Sequence, residues 1–136
     1  MTGFRNTTLI AALLVLISSL PACGDDDEDV GLSEAQRHGV GAACTGDSDC
    51  FIGDTRLRCL AFKGGYCGLE GCQNAADCPP GSTCVTHDDD KNYCFLLCGD
   101  KVECNHTRPS AIEANCSSNI TFTDSDEDRK ACVPPS

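Results

Sequence analysis

Cys44-Thr45-Gly46-Asp47-Ser48-Asp49-Cys50 is a short segment closed at both ends by cysteine, with an acid directly before the second one. The chain repeats this plan twice. Cys72-Gln73-Asn74-Ala75-Ala76-Asp77-Cys78 and Cys98-Gly99-Asp100-Lys101-Val102-Glu103-Cys104 keep the five intervening residues and the acid. Spacing and chemistry recurring together mark an internal repeat. Two further cysteines follow each pair, so the region 44–132 divides into three four-cysteine units, 44–67, 72–94 and 98–132. Their cysteines are Cys44, Cys50, Cys59 and Cys67; Cys72, Cys78, Cys84 and Cys94; Cys98, Cys104, Cys116 and Cys132. Residues 133–136 form a tail.

So many cysteines in a chain of 136 residues read as a disulfide scaffold. The aromatic stock after residue 23 is only Phe51, Phe62, Tyr66, Tyr93, Phe95 and Phe122, with no Trp. Apolar burial alone is therefore poorly placed to offset the ordering entropy of the chain. The expected fold is small and disulfide-rich, mostly loops and short strands or hairpins, with little helix apart from the leader. Gly53-Asp54, Gly64-Gly65 and Pro79-Pro80-Gly81-Ser82 carry turn chemistry. Asp49, Asp77 and Glu103 are placed to accept local backbone N–H groups, a solvated role being the alternative. Tyr66 and Tyr93, each just before the fourth cysteine of its unit, are expected to lie across a bridge as miniature cores. Ser110-Ala111-Ile112-Glu113 reads as the start of a short capped helix.

Four cysteines allow three pairings, and the sequence does not choose between them. First-to-third with second-to-fourth is favoured, because it closes two overlapping loops, each worth roughly 3 kcal/mol for about 15 residues. Each bridge is expected inside its own unit, since shorter loops close with less entropy loss. The connectors 68–71 and 95–97 are too short for whole units to fold back on each other easily.

Outward from this region, the chain begins with one basic residue, Arg5, and the apolar run Leu9 to Leu20. That is the plan of a secretory signal over residues 1–22. The run is shorter than the ~20 residues a membrane-crossing helix needs. Leu20-Pro21-Ala22-Cys23 resembles the lipobox of bacterial lipoproteins, with Pro21 where that family usually has a small residue. The resemblance implies that Cys23 is acylated with palmitate-type chains and becomes the mature N-terminus. Thirteen cysteines less a lipidated Cys23 leave the even number a closed framework needs. Gly24, rather than an acid, follows Cys23, which by the same resemblance implies delivery to the outer membrane.

Residues 23–43 read as the lipidated N-terminus and an acidic flexible tether. Asp25 to Asp29 is an unbroken run of five acids, which repel one another and resist compaction. One helical turn is expected around Ser33 to Arg37. The cysteine spacing and turn chemistry of residues 44–132 loosely resemble small extracellular cysteine-rich modules such as the amino-terminal region of Dickkopf proteins. That likeness implies a scaffold and no activity.

The net charge of −11 excludes a nucleic-acid partner, because the phosphate backbone demands an excess of Lys and Arg. His38, His87 and His106 stand at no zinc-ligand spacing, and no two-residue Cys spacing is present. Asp88-Asp89-Asp90 and Asp124-Ser125-Asp126-Glu127-Asp128 are acidic enough to suggest calcium. The second opens like an EF-hand loop but has Arg129 at the turn glycine and Pro135 where the bidentate Glu belongs. No nucleophile elbow, phosphate-binding loop or zinc-protease motif occurs, so no catalytic residue, metal or cofactor is expected. Three Asn-X-Ser/Thr triplets begin at Asn105, Asn115 and Asn119; they would matter only if the source were eukaryotic.

The expected function is a non-enzymatic, lipid-anchored binding module of the cell envelope. It meets the membrane through its N-terminal lipid and takes an unidentified protein or glycan as partner. The alternative is a small protease-inhibitor-like module presenting the loop Pro79 to Ser82.

Overall fold

The computed structural model describes residues 34–37, 39–52, 54–124 and 129–136. The leader, Cys23, the acidic run, His38, Gly53 and Ser125 to Asp128 lie outside the described residues.

A four-residue helix, α1 (Glu34–Arg37), opens the fold. Each unit then builds the same object. A 3-10 turn forms at its second cysteine: Asp47–Cys50 ends on it, Ala75–Asp77 stops just before it, and Glu103–Asn105 straddles it. A short antiparallel pair of strands carries the other two. In the first unit a small hairpin, β1 (Phe51–Ile52) with β2 (Thr55–Arg56), precedes β3 (Arg58–Leu60) and β4 (Tyr66–Gly68). The second unit has β5 (Ser82–Thr86) and β6 (Asn92–Leu96). The third pairs β7 (Asn115–Ser117) with β9 (Ala131–Val133), and between them β8 (Thr121–Phe122) crosses over to pair with β5.

In every pair the third and fourth cysteines stand directly opposite: Cys59 and Cys67, Cys84 and Cys94, Cys116 and Cys132. They are not bonded to each other. The bridges are Cys44–Cys59, Cys50–Cys67, Cys72–Cys84, Cys78–Cys94, Cys98–Cys116 and Cys104–Cys132. Each unit thus has the interlocked pairing, which staples the 3-10 loop across both strands of its own hairpin.

The acid before each second cysteine shapes that loop. Asp49 accepts from the Thr45 N–H at 2.8 Å, Asp77 from the Gln73 N–H at 2.8 Å and Glu103 from the Gly99 N–H at 2.7 Å. In each case the donor is the residue just after the first cysteine. A buried or turned backbone N–H needs such a partner. These bonds, the Thr45 backbone bond foremost, hold the Asp49 carboxyl below its ordinary 3.8.

The turns follow their sequence chemistry. Pro79 to Ser82 closes with a Ser82 N–H bond to the Pro79 carbonyl at 3.0 Å, and Gly81 takes a φ of 82°. Pro then Gly at the central positions is the type II pattern. Gly64 and Gly65, both at positive φ, turn β3 towards β4. Ser110–Ile112 forms one 3-10 turn behind Pro109, without a side-chain cap.

Two expectations fail. Tyr66 and Tyr93 are not separate miniature cores, because one apolar core runs through all three units. Phe62 lies 6.2 Å from the Tyr66 ring and 5.1 Å from that of Tyr93, and Phe95 lies 5.1 Å and 5.8 Å from the same two. The short connectors, instead of holding units apart, force them side by side: Glu70 pairs with Tyr93 and Leu97 with Ala131. Units this small cannot cover an aromatic ring alone. Described residues of the 23–43 segment also touch this core. Ala35 and Val40 are buried, the Val40 N–H bonds the Ala35 carbonyl, and Gly41 N–H bonds the Cys67 carbonyl.

Candidate functional site

Strand pairing places β5 between β6 and β8, and the hairpin turn beyond β5 overhangs the third unit. His87 closes this turn by donating its N–H to the Lys91 carbonyl and accepting from the Asp90 N–H. Asp90 sits at φ 61°, the left-handed position of a three-residue hairpin loop that Asp tolerates better than most residues. Asp89 is turned back and accepts from the Tyr93 hydroxyl at 2.7 Å. That bond above all depresses the Asp89 carboxyl. Burial foremost, with Asp89 adding to it, pushes the Tyr93 phenol up. The His87 ring packs edge-on against Phe62, 5.2 Å away, and Phe95, 5.9 Å away. Its side chain is 9% exposed, and Nδ1 has no hydrogen-bond partner, Asp89 Oδ1 lying 3.7 Å off.

Between this turn and the third unit lies a cleft of about 500 Å³, within the range of small-ligand sites. Thr86, His87, Asp88 and Asp90 line one wall; Asn115, Ser117, Asn119 and Thr121 line the other, with Ile120 and Val133 as the apolar part. Hydroxyls, carboxamides and carboxylates converge there, and neither Lys nor Arg contributes. Such a lining offers hydrogen bonds to neutral hydroxyl-rich groups and repels anions.

The twelve cysteines of the three units are all oxidised. In each unit three sulfurs of neighbouring bridges lie within 4.8 Å of one another, as for Cys44, Cys50 and Cys59. Bridged sulfur has no thiolate to offer a metal. Of the acidic clusters, Asp88 and Asp90 reach the cleft, whereas Asp124 is spent on the framework, accepting from the Ala75 N–H at 2.7 Å. His106 is exposed in a turn. Asn105 bonds the Lys101 and Ala114 carbonyls and the Ala114 N–H, so its amide is fully employed. The suspected inhibitor loop is a closed turn: Gly81 lies against Ala35 of α1, and its carbonyl accepts from Leu97. It is not an extended segment.

Arg108 is the residue that sequence reasoning missed. It is buried, and its guanidinium donates to the carbonyls of Ile112, Gly41, Gly65 and Lys63. Nothing in Thr107-Arg108-Pro109 signals this, since the partners come from sequence 43 to 67 residues away and from the next turn.

No family model, curated protein or solved structure matches the chain. The fold itself defines a small disulfide-rich domain of the kind assembled in an oxidising extracellular or periplasmic compartment. No helix among the described residues is long and apolar enough to cross a membrane.

Proposed function

We propose that the protein is a non-enzymatic, lipid-anchored module of the cell envelope that binds a neutral glycan in the cleft between the β5–β6 turn and the third unit. Acylated Cys23 ties it to the outer membrane, and the disulfide framework holds the cleft's two walls in fixed register. Preorganised walls lower the ordering cost of binding. The observation that carries the reading is the lining: Asp88, Asp90, Asn115, Ser117, Asn119 and Thr121 face one space without a Lys or Arg among the lining residues. A carboxylate accepts paired hydrogen bonds from adjacent sugar hydroxyls and a carboxamide accepts one and donates one, while the negative field rejects nucleotides and other anions.

The test is a glycan array probed with the purified chain and with Asp90→Asn and Asn115→Ala. Asn keeps the left-handed turn that Asp90 occupies. Binding to neutral oligosaccharides that falls about tenfold in each variant is expected, the loss of one good polar contact. No binding, or binding that neither variant weakens, refutes the assignment.

A further inference from the structure

Of the six bridges among the described residues, Cys98–Cys116 alone joins two cysteines that are both only half-buried. Each of the other five has at least one buried cysteine. Cys44–Cys59 is further covered by the Gly65 backbone, where an added Cβ would meet the two sulfurs at 2.6 and 2.8 Å. Cys98, in contrast, lines an open cleft of about 440 Å³ beside Leu97 and Lys130. Thiol–disulfide exchange needs a nucleophile to reach a bridge sulfur, so access decides which bridge reacts first.

The same bridge holds a wall of the polar cleft. Cys116 lies in β7 between Asn115 and Ser117, and both of these line that cleft. β7 pairs only with β9, whereas β5, which leads into the opposite wall, is flanked on both sides. Cys98–Cys116 is thus the one covalent tie of β7 to another part of the chain. With it open, Cys104–Cys132 still pins β9, the partner of β7. Asn105 still bonds the Ala114 N–H and carbonyl just before the strand. Opening therefore loosens one wall and leaves the fold standing.

We propose that Cys98–Cys116 is a redox-sensitive latch on this wall, opened by a dithiol and closed again by exchange with a disulfide of the same class. One thiolate of the dithiol attacks the Cys98 sulfur, and the electron pair of the S–S bond leaves on Cys116. The second thiol then attacks the mixed disulfide, forming the reductant's own disulfide and releasing Cys98. Two electrons and two protons pass to the protein. The Cys98 sulfur lies within 4.8 Å of those of Cys104 and Cys132, so the freed thiolate is placed to exchange with that bridge too, without net electron change. The latch acts on the wall itself and does not rest on what the cleft binds.

In the test, the full oxidised chain is capped with iodoacetamide to remove any thiol already present and desalted. It then meets an equimolar amount of dithiothreitol at neutral pH and is quenched with N-ethylmaleimide. Peptide mass spectrometry is expected to find maleimide on Cys116 together with Cys98, Cys104 or Cys132, about tenfold above any cysteine of the first two units. Hydrogen exchange of this species should rise about tenfold in β7 while β5 and β6 hold. Label appearing first in the first or second unit, or evenly in all three, overturns the latch. So does an opened bridge that leaves β7 exchange unchanged. Cys98→Ser combined with Cys116→Ser isolates the open state: it is expected to fold with the other five bridges and to show the faster β7 exchange before any dithiol is added. A double variant that fails to fold overturns the inference, because the bridge is then a staple that the fold cannot release.

Discussion

The guanidinium carbon of Arg108 lies 5.7 Å from the centre of the Tyr66 ring, which joins the third unit to the first through a buried cation on an aromatic face. Four backbone carbonyls complete its shell. Burial lowers the Arg108 pKa, the neighbouring Tyr66 opposing this, while burial drives the Tyr66 phenol up. Replacing Arg108 with Leu orphans all four acceptors at once and is expected to cost on the order of 3 kcal/mol. Lys keeps the charge without the fork and should recover less than half of this. Urea unfolding with the bridges intact measures both, and a loss below about 1 kcal/mol for Leu would mean the units hold together without this residue.

The Thr83 hydroxyl is buried without a partner, on the β5 residue paired with Phe95. Thr83→Val removes an unpaid desolvation at nearly constant shape. A gain of about 1 kcal/mol is expected. An unchanged or lower thermal midpoint would show that the hydroxyl has a bonding partner in solution.

Bridge removal should follow loop length. Cys104–Cys132 closes 28 residues and Cys72–Cys84 closes 12, so the chain-entropy model gives about 3.6 and about 2.8 kcal/mol for the paired Ala replacements. Hydrogen exchange in the first should rise earliest in β9, the strand that Cys104–Cys132 pins, and in its partner β7. A reversed order of midpoints would place the difference in packing.

Acid should weaken the fold through Asp49 and Asp89. Both carboxyls are held below the ordinary 3.8. A depressed carboxyl contributes stability fully above its unfolded value and loses it as pH falls through the folded one. The decline therefore lies below about pH 4. Asp49→Asn and Asp89→Asn should each lower the melting point at pH 7 and converge with the parent near pH 2. Curves that stay parallel across that range would remove these two groups from the acid response.

Cys23→Ser is expected to abolish acylation and leave the protein out of the membrane fraction. Metabolic labelling with a fatty acid reads this directly. A mutant that still labels and still sediments with membranes would place the anchor elsewhere.

Much of the fold was legible because cysteine spacing is local. Five residues between the first two cysteines, an acid before the second and turn residues after it dictate a clamped loop and a hairpin with little help from elsewhere. The carboxylates of Asp49, Asp77 and Glu103 reach N–H groups only four residues back, a distance that sequence can show. Turn chemistry at Gly64-Gly65 and Pro79 to Ser82 is equally local.

The cleft and the shared core were not legible, because each is made by residues that are distant in the chain. Asp90 and Asn119 meet only because β8 crosses to β5, and no periodicity in Thr121-Phe122 announces that pairing. The sequence determined by itself a disulfide-built chain of three like units, since loop closure by cysteine depends on separation along the backbone. Only the tertiary structure decided that the units merge around Tyr66, Phe95 and Arg108, that Ala35 and Val40 pack into the folded body, and where a polar cleft opens. Those outcomes come from burying side chains no single unit could cover, and burial is a property of the assembled surface.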